Sequence, residues 1–164
     1  MSEGPALAAA AAAGAVGGAA APAAAVRTPI RPDLFVEGGA GQPARLVGSR
    51  DRDSGQVFFP AEAMNPVTMR EGTLQRHEFE GGGTLVAWTV IARGLPGFDS
   101  PYALATVQLD AGPSFIGQLH EWQGKPLASG MRVRLAIGRI KRDKDGSEVV
   151  GPLFVPVADE AKAR

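Results

Sequence analysis

Short runs in which apolar and polar residues alternate make up most of the chain after about residue 70. Within residues 131–140, every second residue from 131 to 137 is a large apolar one and Arg132 and Arg134 lie between them, which is the period of a β-strand with one buried face. Extended segments are predicted at 56–60, 74–79, 84–91, 102–109, 114–119, 131–140 and 148–155. The turn sequence Asp110-Ala111-Gly112-Pro113 joins two of them as a hairpin. Because no segment has a strong helical period, the pattern predicts an all-β protein.

The strands after about Thr73 are short and separated by turn residues, which is typical of a small closed barrel. An OB-fold barrel fits this spacing best. The connection between the third and fourth barrel strands, where OB-folds commonly place a helix, is residues 120–129, with weak helical content and Pro126. The pattern alone leaves another small barrel open. Upstream it predicts one short helical turn, at residues 33–36.

The two ends of the chain differ in composition from the barrel segments. Residues 1–28 are mostly alanine interrupted by glycine and proline, with too few large apolar residues for a membrane span. We expect this stretch to be a disordered tail, and residues 158–164 to be a second one. A signal peptide is the alternative, but Glu3 lies near the start and no Lys or Arg precedes Arg27. We therefore expect a cytoplasmic protein.

Charge and cysteine content limit the chemistry that the chain can perform. The 17 Lys and Arg residues balance 17 Asp and Glu residues, so no net field attracts nucleic acid or an anionic membrane. The absence of cysteine removes disulfides, thiolate nucleophiles and cysteine zinc ligands together. His77 and His120 are far apart in sequence and form no evident catalytic triad. We predict a protein that is not an enzyme.

A segment beginning at Arg45 carries Gly55, Phe59-Pro60 and Pro66 at the spacings of a metal-binding ribbon. It resembles the rubredoxin-like zinc ribbon of a family catalogued as domain of unknown function 35 (DUF35), which reads Cys-x-x-Cys-Gly, a Phe-Pro stretch, then Cys-Pro-x-Cys. The four cysteine positions of that ribbon fall here on Asp51, Ser54, Asn65 and Thr68. Since a carboxylate, two hydroxyls and an amide are a poor zinc site, the resemblance implies a degenerate ribbon hairpin without zinc.

The second half of the resemblance lies in the barrel segments. The loop Leu95-Pro96-Gly97-Phe98, the Pro101-Tyr102 strand start and the acidic-glycine turn at Asp110 are similar to the OB half of the same family. The match spans roughly residues 45–157. It implies an N-terminal arm and degenerate ribbon at 29–70, followed by an OB-fold at 71–157.

Members of this family are accessory subunits of thiolases, thiolase-like aldolases, acyltransferases and hydroxymethylglutaryl-CoA synthases, in which the partner supplies the catalytic residues. The resemblance therefore implies a non-catalytic subunit of a hetero-oligomer in lipid or steroid metabolism. Such a subunit would support the activity of a thiolase-like or condensing enzyme, or its acyl-CoA passage. It implies no cofactor for this chain, since zinc is absent and any CoA thioester would be shared with the partner.

The loop at 95–102 is the predicted partner interface, because its prolines stiffen it and its two aromatic rings offer area for burial. The candidate residues are Pro96, Gly97, Phe98, Pro101 and Tyr102. The alternative is that the two rings cap the barrel's own core. Arg132 and Arg134, which strand alternation places on one face, are candidate contacts for a CoA phosphate. Neighbouring acidic residues make a solvated charged surface the commoner arrangement.

Two other functions suit a small barrel. A single-stranded nucleic-acid-binding OB module needs a basic groove with stacking aromatic residues. The net charge is zero and only 6% of the residues are aromatic, so we expect neither a nucleic-acid nor a membrane partner. A free acyl-CoA carrier would need interior space that a small filled barrel lacks.

Overall fold

The computed structural model describes residues 25–157, and every regular element in that range is a β-strand. The strands are β1 (Arg27–Pro29), β2 (Phe35–Val36), β3 (Arg45–Asp51), β4 (Val57–Phe58), β5 (Leu74–Glu80), β6 (Gly83–Ile91), β7 (Tyr102–Leu109), β8 (Ser114–Leu119), β9 (Arg132–Arg142) and β10 (Glu148–Pro156). Across these residues, no helix has the length and hydropathy that crossing a membrane requires. The two predicted tails fall outside the described residues, apart from residues 25–28.

Strands β6 to β10 form a closed five-stranded barrel. β6 pairs with β7, β7 with β8, β8 with β10 and β10 with β9, and β9 closes the barrel on β6 at Gly83 and Thr84. Every pairing is antiparallel except β8 with β10, which is parallel. The fourth barrel strand thus lies between the fifth and the first, as in an OB-fold. The predicted all-β OB-fold is confirmed.

The apolar side chains at alternate positions of the barrel strands fill the interior of the barrel. The predicted strands at 102–109 and 114–119 coincide with β7 and β8. Along β7, Ala103, Ala105 and Val107 are buried while the residues between them are partly exposed. These buried side chains join one apolar cluster that includes Phe154 of β10. Because each strand gives one face to this cluster, burial of apolar area drives the barrel to close.

Strands β2 to β5 form a second sheet with β3 at its centre. β3 pairs antiparallel with β2, β4 and β5. The helical turn predicted at residues 33–36 is wrong, because Phe35 and Val36 form β2 and pair with Leu46 and Arg45. A short apolar pair beside a buried partner strand gains more from the ladder than from an isolated turn, and Phe35 is buried there.

Two further segments differ from the sequence-based expectation. The strand that begins near Thr73 is observed as β5, but it pairs with β3, and the closed barrel begins at Gly83. β5 and β6 do not pair with each other, so the chain passes from one sheet to the next at Gly81 and Gly82. Residues 120–129, predicted to have weak helical content, contain turns and no helix. Pro126 and Gly124, which has a φ of 74°, oppose a helix there.

A row of four phenylalanine rings joins the two sheets. Phe59, which follows β4, lies 5.9 Å from Phe79 on β5 and 4.9 Å from Phe115 on β8, edge to face in both cases. Phe115 in turn lies 5.7 Å from Phe154 at the centre of the barrel. Edge-to-face rings at these separations attract one another beyond their burial of area. The second sheet is therefore packed onto the barrel by aromatic contacts.

Candidate functional site

The loop between β6 and β7, residues 92–101, folds back onto the end of β9. The backbone N–H of Arg142 donates a 2.8 Å hydrogen bond to the carbonyl oxygen of Gly97. The carboxylate of Asp99 is paired with the guanidinium of Arg139, also on β9. Gly97 has a φ of 93°, and a Cβ at this position would overlap the Arg142 carbonyl oxygen. Glycine is therefore required for the close approach that holds the loop against β9.

The rings of Phe98 and Tyr102 stack on each other, with centroids 5.4 Å apart and planes at 25°. Tyr102 pairs with Ile91 in the β6–β7 ladder, one residue out of phase with the core-facing Ala103. Both rings therefore lie on the outer face of the barrel, and neither belongs to the buried core cluster. This placement is not the one expected if the rings capped the core.

The stacked rings border an apolar groove of about 430 Å³ on the outside of the barrel. Its walls come from several strands and from the segment after β1. They include Ile30, Leu34, Phe98, Tyr102, Leu104, Ile116, Ile140 and Pro152. Ile116 is 66% exposed although it lies in the middle of a strand. A concave surface lined by large apolar side chains and bordered by two stacked rings is suited to take an apolar side chain from a partner.

A more polar cavity of about 550 Å³ adjoins the groove, and Tyr102, Gln118 and Ile140 line both. His120 also lines it. Burial, and next the positive charge of Arg139, lower the pKa of its imidazole, so His120 is neutral at neutral pH. A neutral imidazole has one nitrogen that donates a hydrogen bond and one that accepts, so His120 can bond to a polar group that enters this cavity. Between residues 25 and 157, no group of three or more His, Asp or Glu side chains is placed to hold a metal ion.

The four positions that match the ribbon cysteines meet in one hydrogen-bond network beside β3. Asp51 Oδ1 accepts bonds from the backbone N–H groups of Asp53 and Ser54, at 2.9 and 2.8 Å, and from the Ser54 hydroxyl at 3.1 Å. Asp51 Oδ2 accepts a 2.7 Å bond from the side-chain amide of Asn65. Asn65 Oδ1 then accepts bonds from the N–H groups of Val67 and Thr68, at 2.9 and 3.0 Å.

Asp51 is a buried charge whose hydrogen bonds offset the cost of its burial. Asp51 is only 3% exposed, and Asn65 is 2% exposed. The pKa of Asp51 is held well below its usual range, first by the backbone N–H of Ser54 and next by the amide of Asn65. An ionised carboxylate at this depth is stable only because both of its oxygens accept such bonds.

The two candidate arginines for a CoA phosphate have different surroundings. Arg132 forms a bidentate ion pair with Asp110, at 2.8 and 2.6 Å, so its charge is already compensated. Arg134 makes no side-chain hydrogen bond or ion pair with another described residue, and it lines a cavity of about 620 Å³. Glu37 and Glu80 line the same cavity. A CoA phosphate contact therefore stays a prediction for Arg134, while the ion pair opposes it at Arg132.

Strand β6 also exposes apolar residues. Because it pairs with β9 only at Gly83 and Thr84, the edge of β6 beyond Val86 has no strand neighbour among residues 25–157. Trp88 is 39% exposed and Val90 is 46% exposed on this stretch. This edge was not predicted from the sequence, and neither were the groove residues Leu104 and Ile116. Apolar residues on both faces of a predicted strand are the signal that would have revealed them.

These features define an OB-fold binding protein: a closed barrel, a second sheet built like a ribbon and an exposed apolar groove on the barrel's outer face. Residues 76–138 match the family described as ChsH2, C-terminal OB-fold domain. A DUF35 domain-containing scaffold protein of Pyrococcus furiosus is 30% identical over 116 residues, which cover 69% of this chain and 84% of that protein. The DUF35 domain-containing scaffold protein of Methanocaldococcus jannaschii is 28% identical over 115 residues, covering 68% of this chain and 82% of that protein.

The chain belongs to the DUF35 family, as the resemblance in its sequence indicated. Its fold is also similar to a chain in the solved structure of the Ltp2-ChsH2(DUF35) aldolase, with a TM-score of 0.56 and 24% identity. That likeness covers 68% of this chain and 84% of the other, and it supports the OB-fold assignment.

Proposed function

We propose that this chain is a non-catalytic scaffold subunit that binds a larger acyl-CoA-processing enzyme of the thiolase type. In this role the partner supplies the catalytic residues, and the barrel supplies a surface that supports the partner's activity or shapes its acyl-CoA passage. The two form a hetero-oligomer, and acyl-CoA is an indirect partner of this chain.

The observation that carries the proposal is the apolar groove beside the Phe98–Tyr102 stack. Exposed apolar surface lowers solubility unless it is covered, and contiguous patches of it mark interaction sites. The loop that holds Phe98 is fixed to β9 through Gly97 and Asp99 before any partner arrives. A fixed aromatic anchor loses little conformational entropy on binding, so less of the free energy of its burial is offset.

Two comparisons support a scaffold role with a partner. The relatives from Pyrococcus furiosus and Methanocaldococcus jannaschii are named scaffold proteins. The solved structure with the similar fold is an aldolase assembly in which the DUF35 protein is named beside Ltp2. Both agree with a chain whose described residues offer a docking groove rather than a catalytic constellation.

The proposal is tested by coexpressing the full chain with the thiolase-type enzymes of the same genome. Complex formation is followed by size-exclusion chromatography with light scattering. Ile116→Arg places a charge in the groove, and we expect it to weaken the complex at least tenfold. Val67→Arg is the matched control, because Val67 is as exposed as Ile116, at 67% against 66%, but lies outside the groove. We expect that variant to bind like the original chain.

Three results would overturn the proposal. The first is that no thiolase-type enzyme of the genome forms a complex with the chain. The second is turnover of a thioester by the purified chain alone. The third is tight, salt-dependent binding to single-stranded DNA, which would assign the barrel to nucleic-acid binding instead.

A further inference from the structure

The ribbon of this family implies a zinc ion at the four positions now occupied by Asp51, Ser54, Asn65 and Thr68. These residues do not fit that ion. Structural zinc has thiolates or imidazoles at nearly all four ligand positions. This set offers one carboxylate, two hydroxyl groups and one amide. Moreover, the carboxylate already accepts bonds at both oxygens. The Asn65 amide turns a donor, not a lone pair, toward Asp51.

We propose that a hydrogen-bonded clasp between Asp51 and Asn65 replaces the metal and holds the two ribbon loops together without any ion. The Asp51–Asn65 clasp comprises the bond between the two side chains and the bonds that each side chain accepts from its own loop. The inference does not depend on the identity of any partner enzyme, because it concerns only contacts within the chain.

Each half of the clasp organises one loop. On the first loop, Asp51 Oδ1 collects the N–H groups of Asp53 and Ser54, which closes the turn after β3. On the second loop, Asn65 Oδ1 collects the N–H groups of Val67 and Thr68 in the same way. A metal-bound ribbon joins two such loops through the ion. Here the 2.7 Å bond between the two side chains joins them directly, across fourteen residues of sequence.

The residue types fit the clasp in one arrangement. Because Asn65 Oδ1 faces two backbone donors, its Nδ2 must face Asp51, and a carboxylate is the acceptor that benefits most from that donor in a buried site. A second carboxylate at position 65 would face Asp51 across the same short distance, and at pH 7 the pair would either repel or have to take up a proton, both of which cost stability. Two ionised carboxylates so close repel strongly.

Neighbouring bonds hold the two loops in the positions that the clasp needs. The buried hydroxyl of Ser49 donates to the carbonyl oxygen of Glu62 at 3.0 Å and accepts from its N–H at 2.9 Å, which ties the second loop to β3. The backbone N–H of Asn65 also donates to the Arg70 carbonyl oxygen at 3.0 Å. These bonds tie the second loop to β3 and close its turn, and the clasp adds the side-chain link between the two loops.

The test compares the full chain with Asn65→Asp, Asp51→Asn and the exchanged double variant Asp51→Asn/Asn65→Asp. Each single variant should lower the Tm at pH 7 by roughly 5–10 °C, because it leaves two acceptors or two donors facing each other in a buried site. The exchange restores one carboxylate and one amide with reversed direction, so we expect it to recover most of the loss. No recovery in the exchanged variant would overturn the inference.

The metal itself is measured on the original chain, purified without chelators. We expect far less than one zinc per chain by elemental analysis, and a Tm that excess chelator does not change. About one zinc per chain, or a Tm that falls on chelation, would overturn the inference even if the variants do not fold.

Discussion

Asn65 donates a 2.7 Å hydrogen bond from its side-chain amide to Oδ2 of Asp51, and both residues are almost fully buried. This bond joins two loops through residues that are fourteen positions apart, at two of the four positions that the resemblance aligns with ribbon cysteines. The ribbon shape can therefore be kept by polar side chains when the buried carboxylate and amide bond to each other and to the backbone of their own loops.

Replacing the four positions by cysteine should create a metal site. The Asp51→Cys/Ser54→Cys/Asn65→Cys/Thr68→Cys variant should bind about one zinc per chain, because the network brings these positions together and four thiolates suit zinc. Chelation should then lower its Tm. The control places the first cysteine at the exposed Asp53 instead of Asp51. Equal zinc binding by both variants would contradict the geometry described for the loops.

The stability of the chain should depend on acid through Asp51. Its pKa is lower in the folded chain than the ordinary value of about 4, so the ionised carboxylate stabilises the fold. That stabilisation is complete above about pH 5, and it is lost as the pH falls toward the folded pKa. Asp51→Asn should therefore flatten the fall of the urea midpoint between about pH 5 and pH 3.

An exposed carboxylate on the same loop provides the control for the acid prediction. Asp53 lies two residues away and forms an exposed ion pair with Arg70 at 3.3 Å. Such pairs contribute little to stability, so Asp53→Asn should leave the acid dependence almost unchanged. If Asp53→Asn flattens the curve as much as Asp51→Asn does, the acid dependence does not come from the clasp.

Gly97→Ala should loosen the loop that holds Phe98. The added Cβ would overlap the Arg142 carbonyl oxygen and occupy a φ of 93°, so the loop must leave β9. Trypsin should then cut after the exposed Arg93 several times faster than in the original chain. Gly39→Ala is the control, since no atom lies within 4 Å of a Cβ there. Unchanged cleavage in Gly97→Ala would show that the loop is held by other contacts.

The ion pair between Arg132 and Asp110 should stabilise the turn between β7 and β8 only slightly. Both side chains are about half exposed, so a double-mutant cycle with alanine should give a coupling free energy of about 0.5–1 kcal/mol from urea unfolding. Because the pair is bidentate, we expect its coupling free energy to lie at the upper end of the range for exposed ion pairs. A coupling near zero would leave Arg132 free for other roles, including a phosphate contact.

Local patterns predicted the barrel well because its strands alternate and end at clear turns. β7 and β8 were predicted to the residue, since Asp110 and Gly112 mark the turn between them. β3 was missed for a physical reason. Residues 46–49 are buried on both faces of the strand, so no alternation appears, and the preceding glycines and prolines suggest a loop. This segment is a strand because it pairs with β5, which is distant in sequence, so a local pattern could not predict it.

The candidate sites were predictable to different degrees. The spacing of Asp51, Ser54, Asn65 and Thr68 located the ribbon network, because the family pattern fixes those positions. Sequence alone did not give the direction of the Asn65 amide, which is set by the N–H groups of its own loop. The groove combines side chains from several strands, so it arises only when the barrel closes. The adjacent apolar residues Phe115 and Ile116 indicate an apolar outer face on this strand, but only the closed barrel shows which other side chains join Ile116 there.

The open edge of β6 has a consequence for anyone who handles this chain by itself. Backbone N–H and C=O groups along an uncharged run from Val86 to Ile91 can bond to any extended peptide that comes near. We therefore expect the purified chain to aggregate through this edge while it is still folded, at temperatures below its Tm. A lysine at an outward position of that run would be a simple remedy in the test tube.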